Sequence, residues 1–129
     1  MRILIVEDNP KMRELLRIFL SDVADVCECS DGDEVISAYT DWKPTWVVMD
    51  VQMARVGGIT ATRLLKNAFP ESRVVMLSEH DDSETRAAAL EAGAFDYLVK
   101  DDLTVLRCFL LETEISETMN AERGTMNKF

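Results

Sequence analysis

The sequence predicts an α/β fold: one parallel sheet with helices packed on both of its faces. Three observations carry that prediction. Short β-branched and apolar runs alternate about five times with stretches of helical period, each long enough for a crossover between parallel strands. The 129 residues suit one domain with a single core, and no linker, internal repeat or low-complexity segment divides them. The apolar runs also end on groups able to do chemistry, and in a parallel sheet those ends share one edge.

Taken in order, Arg2 to Val6 is a short strand that ends on Glu7-Asp8. Asn9-Pro10 starts a helix, with Asn as N-cap and Pro at the first helical position. Met12, Leu15, Leu16, Phe19 and Leu20 give it one apolar face. Val23 to Cys29 is a more polar strand, suited to a sheet edge. Ser30-Asp31-Gly32-Asp33 turns the chain into a second helix with Val35, Ala38, Tyr39 and Trp42 inward, stopped by Pro44. Thr45 to Asp50 is a buried strand that ends on a carboxylate, and an ionised carboxylate resists losing its water. Val51 to Gly58 is a loop to which Gly57-Gly58 lends backbone freedom. A third helix runs from about Ile59 to Phe69, before Pro70.

Arg73 to Leu77 is a further buried strand, ending on Ser78. After the polar loop Glu79 to Asp82, Asp81 or Asp82 caps a helix from Ser83 to Ala92, closed by Gly93. Ala94 to Val99 is the last strand, ending on Lys100. Asp101-Asp102 caps a last helix carrying Leu103, Leu106, Phe109 and Leu110. The tail after Glu117 turns polar and is expected to fray.

Composition narrows the classes of function. The chain is 47% hydrophobic and 29% charged, ordinary for a soluble domain. No apolar run is long enough for a bilayer, and Met1 to Asp8 lacks the cleavage site of a signal peptide. A net charge of -10 argues against nucleic-acid binding by this chain, because phosphate contacts need a basic face. Cys27, Cys29 and Cys108 contain no CxxC and no completing His, so they read as reduced core or near-core thiols in a cytosolic protein. The sole histidine, His80, reads as a solvated loop residue. Met49, Met53 and Met76 read as core filling, and the acid-rich stretches 79–84 and 112–117 as solvated surface.

The predicted edge gathers Glu7, Asp8, Asp50, Ser78 and Lys100. Carboxylates about 4 Å apart repel by about 4 kcal/mol per pair at an effective dielectric near 20. A hard divalent cation with oxygen ligands relieves that conflict, which suits Mg²⁺. An ammonium and a metal ion together can bind phosphoryl oxygens while a carboxylate attacks in line. Taken alone, Glu7-Asp8 would read as an acid pair at a helix N-terminus, and Tyr97 as a strand aromatic on the core.

With these residues in place the chain resembles the receiver domain of two-component response regulators, over residues 2 to 117. The motifs are Ile-Leu-Ile-Val-Glu-Asp-Asn, Val-Val-Met-Asp-Val-Gln-Met with Gly58 downstream, Val-Val-Met-Leu-Ser, and Ala-Gly-Ala-Phe-Asp-Tyr-Leu-Val-Lys. The resemblance implies a flavodoxin-like, doubly wound five-stranded parallel sheet in the order 2-1-3-4-5. It implies Asp50 as phosphoacceptor for a sensor histidine kinase, in a signalling protein rather than a turnover enzyme. Mg²⁺ would be held by Asp8, Asp50 and the Gln52 backbone carbonyl, with Glu7 acting through water. Ser78 would bind the phosphoryl group, Lys100 would pair with Asp50 or its phosphate, and Tyr97 falls at the aromatic switch position. The expectation for the switch is that Ser78 moves inward on phosphorylation and the Tyr97 ring rotates into the space it leaves.

Ala54 and Asp101 stand where the family often has Pro, and Glu79 where it usually has a small residue. The Glu79 carboxylate bears on the speed of phosphorylation rather than on the site. Lys100-Asp101 resembles the branch that carries a LuxR-type helix-turn-helix. That implies a cytoplasmic regulator with a C-terminal DNA-binding output domain outside this chain, and homodimerisation on phosphorylation. Residues 118 to 129 then read as a polar tail or the start of a linker. Two rivals remain. An aspartyl-phosphate phosphohydrolase of the haloacid dehalogenase type needs a second Asp where this chain has Gln52, which cannot exchange a proton near neutrality. A phosphorylation-independent interaction module would bind no Mg²⁺.

Overall fold

The computed structural model describes residues 1–126, and the side chains of these except at position 118 and positions 120–126. Five parallel strands form one sheet in the order β2-β1-β3-β4-β5. In chain order the elements are β1 (Arg2–Val6), α1 (Pro10–Leu20), β2 (Asp25–Cys29), a short 3-10 turn (Gly32–Glu34), α2 (Val35–Trp42), β3 (Trp46–Asp50), α3 (Gly58–Ala68), β4 (Val74–Ser78), α4 (Ser83–Glu91), β5 (Asp96–Val99) and α5 (Leu103–Met126). The doubly wound order expected from the resemblance is the observed one.

Alternation along the strands builds two cores. Leu4, Val6, Val47, Met49, Val74, Met76 and Tyr97 face one side, where Val35, Tyr39, Ala61, Leu65 and Ala89 of α2, α3 and α4 cover them. Ile3, Ile5, Trp46, Val48, Val75 and Leu77 face the other side, under Leu16 and Leu20 of α1 and Leu103, Leu106 and Leu110 of α5. With helices on both faces, β3 and β4 are buried at every position. This is why they read as unbroken apolar runs rather than alternating ones. The outer strand β2 is mostly exposed, as its polarity predicts.

The helix boundaries follow local chemistry. The Asn9 side chain accepts from the N–H groups of Lys11 (3.0 Å) and Met12 (3.3 Å), a cap worth about 1 kcal/mol. Of the two candidate caps for α4, Asp82 does the work: its carboxylate accepts from the Glu84 N–H at 3.2 Å. Gly93 closes α4 at φ +109°, a backbone conformation that L side chains rarely adopt. Helix α2 ends at Trp42, with Lys43 left-handed at φ 49° just before Pro44.

Several expectations need correction. Val23 and Ala24 lie in the turn after α1, where their N–H groups donate back to the Leu20 carbonyl, so β2 begins at Asp25. Ala94 and Phe95 precede β5, and Leu15 is largely exposed although it lies in the apolar helical pattern. Only Cys29 is a core thiol, pushed up to about 11 by burial, while Cys27 and Cys108 are exposed. Glu114 and Glu117 are not merely solvated, because both pair with Arg73. The backbone of α5 runs through Glu117 to Met126, and residues 127 to 129 of the expected tail lie outside the described residues. The Met residues singled out as core filling are so: Met49 and Met76 are fully buried, and Met53 packs against the same core.

Candidate functional site

Asp50 is set in the middle of the sheet edge because β3 lies between β1 and β4. Its backbone is gripped from above. Helix α3 begins so close that a Cβ on Gly58 would lie 2.0 Å from the Asp50 carbonyl oxygen. Gly58 is therefore required for space. The backbone freedom expected of Gly57-Gly58 is not used, since neither residue has a positive φ.

Glu7 and Asp8 follow the end of β1, next to β3. Glu7 is 1% exposed and Asp50 7%, while Asp8 is open to solvent. Lys100 follows β5. Its N–H donates to the Ser78 carbonyl at 2.8 Å, which fixes its root beside β4. From there its Nζ reaches 2.8 Å from Glu7 Oε1 and 2.8 Å from Asp50 Oδ1.

One ammonium thus faces two buried carboxylates, and the balance falls on Glu7. Burial, reinforced by the neighbouring Asp50 carboxylate, pushes its carboxyl up to about 7 against the opposing pull of Lys100. Burial by itself would lower Lys100, but its bonds to Asp50 and Glu7 outweigh that and raise it. Glu7 Oε2 is buried without a hydrogen-bond partner. Such an oxygen, beside two further carboxylates, is what a hard cation would satisfy. Glu7, Asp8 and Asp50 each offer an oxygen, all within 4.8 Å of one another. The donor set fits a divalent ion bound by oxygen ligands. A cavity of about 250 Å³ opens beside it, lined among others by Gln52, Ser78, Glu79 and His80.

The neighbouring loop is held by hydrogen bonds from two strands. Ser78 Oγ accepts from the His80 N–H at 3.2 Å, and the Tyr97 hydroxyl donates to the His80 carbonyl at 2.7 Å. The Tyr97 ring is 1% exposed, with the Arg86 guanidinium 4.8 Å from its centroid. The ring therefore already lies inside the fold, where its hydroxyl has an acceptor.

The response regulator receiver domain model matches residues 3–107 of the chain. The chain belongs to the receiver family. It is 34% identical to the transcriptional regulatory protein YxjL of Bacillus subtilis, covering 96% of this chain and 65% of that protein. The chain spans about half the length of the curated relatives it matches. Among solved structures, a LuxR-family two-component response regulator from Aurantimonas superposes with a TM-score of 0.81 at 30% identity, over 90% of this chain and 85% of that one. The BeF3-activated receiver domain of RstA from Klebsiella pneumoniae superposes with a TM-score of 0.80 at 26% identity, over 88% of this chain and 97% of that one.

The receiver fold brings Glu7, Asp8, Asp50, Gln52, Ser78 and Lys100 to one cavity, and leaves Tyr97 one step away through His80. Sequence reading missed that Lys100 bonds Glu7 as well as Asp50, and that Asn9 and Met12 line the cavity. Both could have been read from α1, whose first turn must stand over the edge once Glu7-Asp8 does. His80, expected to be a bystander, contributes its backbone rather than its imidazole.

Proposed function

We propose that this receiver accepts a phosphoryl group on Asp50 from the phosphohistidine of a sensor kinase. An Asp50 carboxylate oxygen attacks phosphorus in line. The new O–P bond forms as the N–P bond breaks, and the departing imidazole keeps the electron pair. The Lys100 ammonium steadies the charge on the transferred oxygens, and the Ser78 hydroxyl donates to one of them. Asp8, Asp50 and the Gln52 carbonyl would hold Mg²⁺, with Glu7 acting through water. Bound there, the ion would supply charge neutralisation for the carboxylates and the phosphoryl group. The switch runs from Ser78 through the His80 backbone to Tyr97, and is read on the surface of α4, β5 and α5.

The observation that carries this reading is the Lys100 Nζ at 2.8 Å from two buried carboxylates, beside an orphaned Glu7 oxygen. Such charge crowding is a cost that a phosphoryl site uses. The chain acts as a signalling phosphoacceptor, with no turnover beyond its own phosphorylation and dephosphorylation. The receiver unit spans residues 2 to 117, and residues 118 to 129 lead toward an output domain that binds DNA, as in a LuxR-type regulator. The receiver itself binds no nucleic acid, works in the cytoplasm, and pairs with a second copy when phosphorylated. Among the described residues no helix is long and apolar enough to cross a membrane.

The test is intact mass after incubation with acetyl phosphate. A single phosphate adduct is expected with MgCl₂, and none after chelation or in Asp50→Asn. An adduct in Asp50→Asn at the wild-type level would refute the assignment.

A further inference from the structure

Among the described residues three carboxylates are almost wholly buried: Glu7, Asp50 and Asp31. The first two face Lys100. Asp31, after the edge strand β2, turns to backbone instead. Its Oδ2 accepts from the Arg55 N–H at 2.9 Å and its Oδ1 from the Val56 N–H at 2.7 Å. Both amides belong to the loop that leaves β3 at Asp50. One short side chain thus reaches across from the edge of the sheet and holds the loop of the central strand.

The surroundings are built for that contact. A Cβ at Gly32 would lie 2.5 Å from the Val56 carbonyl oxygen and 2.9 Å from Ala61 Cβ, so the turn and the loop touch with no room for a side chain. Glu34 orders the turn by accepting from the N–H groups of Ser30 (2.7 Å) and Asp31 (3.2 Å). Outside, the Asp33 carboxylate clasps the Arg55 guanidinium at 2.9 and 3.1 Å, in an exposed pair. The root of the loop is tied separately. The Val51 N–H donates to the Leu77 carbonyl at 3.0 Å, and the Gly58 N–H to the Val51 carbonyl at 2.9 Å. Only Gln52, Met53 and Ala54 lie between the two anchor points, so the Gln52 carbonyl sits in a three-residue span held at both ends.

We infer that Asp31 is a positioning residue for the metal site: by holding the Arg55 and Val56 amides it fixes where the Gln52 carbonyl points. This rests on the proposed role of Gln52 as a Mg²⁺ ligand. Partners that orient a ligand from behind are typically worth 10- to 100-fold in metal affinity. Asp31→Asn replaces one acceptor oxygen with an N–H that faces another N–H, and so loosens the loop while preserving shape.

The experiment titrates MgCl₂ alone near neutral pH, followed by backbone amide NMR shifts. Asp31→Asn should bind Mg²⁺ about tenfold more weakly than the native protein. Asp33→Asn, which breaks only the outer clasp on the same Arg55, should bind within about twofold of native, since exposed ion pairs contribute little. Equal affinity in the native protein and Asp31→Asn overturns the inference and leaves the metal site standing, as does an equal loss in both variants. Absence of any Mg²⁺ response in the native protein overturns both. Hydrogen exchange on the native protein needs no variant: the Arg55 and Val56 amides should be protected although they lie in a loop. Exchange as fast as in exposed loop amides would also overturn the inference.

Discussion

Opposite edges of the sheet each set one cation against two acids. At the edge where the strands end, Lys100 faces Glu7 and Asp50. At the edge where they begin, Arg73 faces Glu114 and Glu117 of α5. Each cation pairs with two acids, and the outcome is opposite. The Glu7 and Asp50 side chains are 2% and 9% exposed, whereas those of Glu114 and Glu117 are 40% and 50% exposed. Water screens the second pair of acids, and the guanidinium finds further partners. It lies 4.3 Å from the Trp46 ring centroid and donates to the Thr45 carbonyl at 3.2 Å. The Lys100 edge instead keeps a carboxyl pushed up to about 7 and an oxygen with no partner. Burial separates the crowded candidate site from the screened pairs that fasten a helix.

The largest expected effect is on the Lys100 edge, in the pH dependence of stability without Mg²⁺. The Glu7 carboxyl is raised in the folded chain from its ordinary 4.5 to about 7. Below the lower value both folded and unfolded states hold the proton. Between the two values only the folded state holds it, so stability falls as pH rises through that window and levels off above it. Linkage puts the fall at about 3 kcal/mol. Urea unfolding should show it, Glu7→Gln should flatten it, and MgCl₂ above the window should restore stability. A flat native profile would mean that the two edges do not differ in this way.

Next in size is Ser78→Ala, which should still accept phosphate at Asp50 but respond weakly. Loss of a hydrogen bond to a charged group costs about 1.5–3 kcal/mol of bias, roughly tenfold or more in the active fraction. NMR of the phosphorylated proteins checks this through the Tyr97 ring and the α4 amides. Shifts identical to native would remove Ser78 from the signal path.

At the Arg73 edge the effect should be smaller and confined to stability. Arg73→Ala loses a cation–π contact and two screened ion pairs, about 1–2 kcal/mol in all, with phosphorylation by acetyl phosphate unchanged. A slower phosphorylation there would show that the edges are coupled. The smallest effect concerns Glu79, exposed at the lining of the cavity. Removing its charge in Glu79→Ala should speed reaction with an anionic donor about two- to threefold, given solvent screening. Equal rates would show that the carboxylate stays clear of the donor's path.

Much of this was legible in the chain because each signal was local. Asn9 before Pro10, Asp82 before Ser83 and Gly93 after α4 mark helix ends by their own side chains or their lack of one. The acids after β1 and at the end of β3 form a candidate site once parallel order places them on one edge. Other features needed coordinates. Asp31 looks like a turn residue because its partners are backbone amides, which leave no mark in sequence. For Tyr97 the residues alone give a strand aromatic and only the resemblance implies a switch, while its hydroxyl contact with the His80 carbonyl is not legible in sequence at all. Polarity after Glu117 marks a tail, whereas the backbone of α5 continues to Met126. In that stretch Met119, Ala121, Glu122 and Arg123 favour a helix, against Asn120 and Gly124.

The close seat of Gly58 on the Asp50 carbonyl bears on how this chain can change over time. A codon change that adds one methyl group there places a carbon 2.0 Å from that oxygen, so either the acceptor strand or the start of α3 must give way. Every carboxylate, hydroxyl and ammonium of the site would survive such a change in name. Their alignment would not, and a lineage could lose the site silently, through a position that carries no reactive group at all.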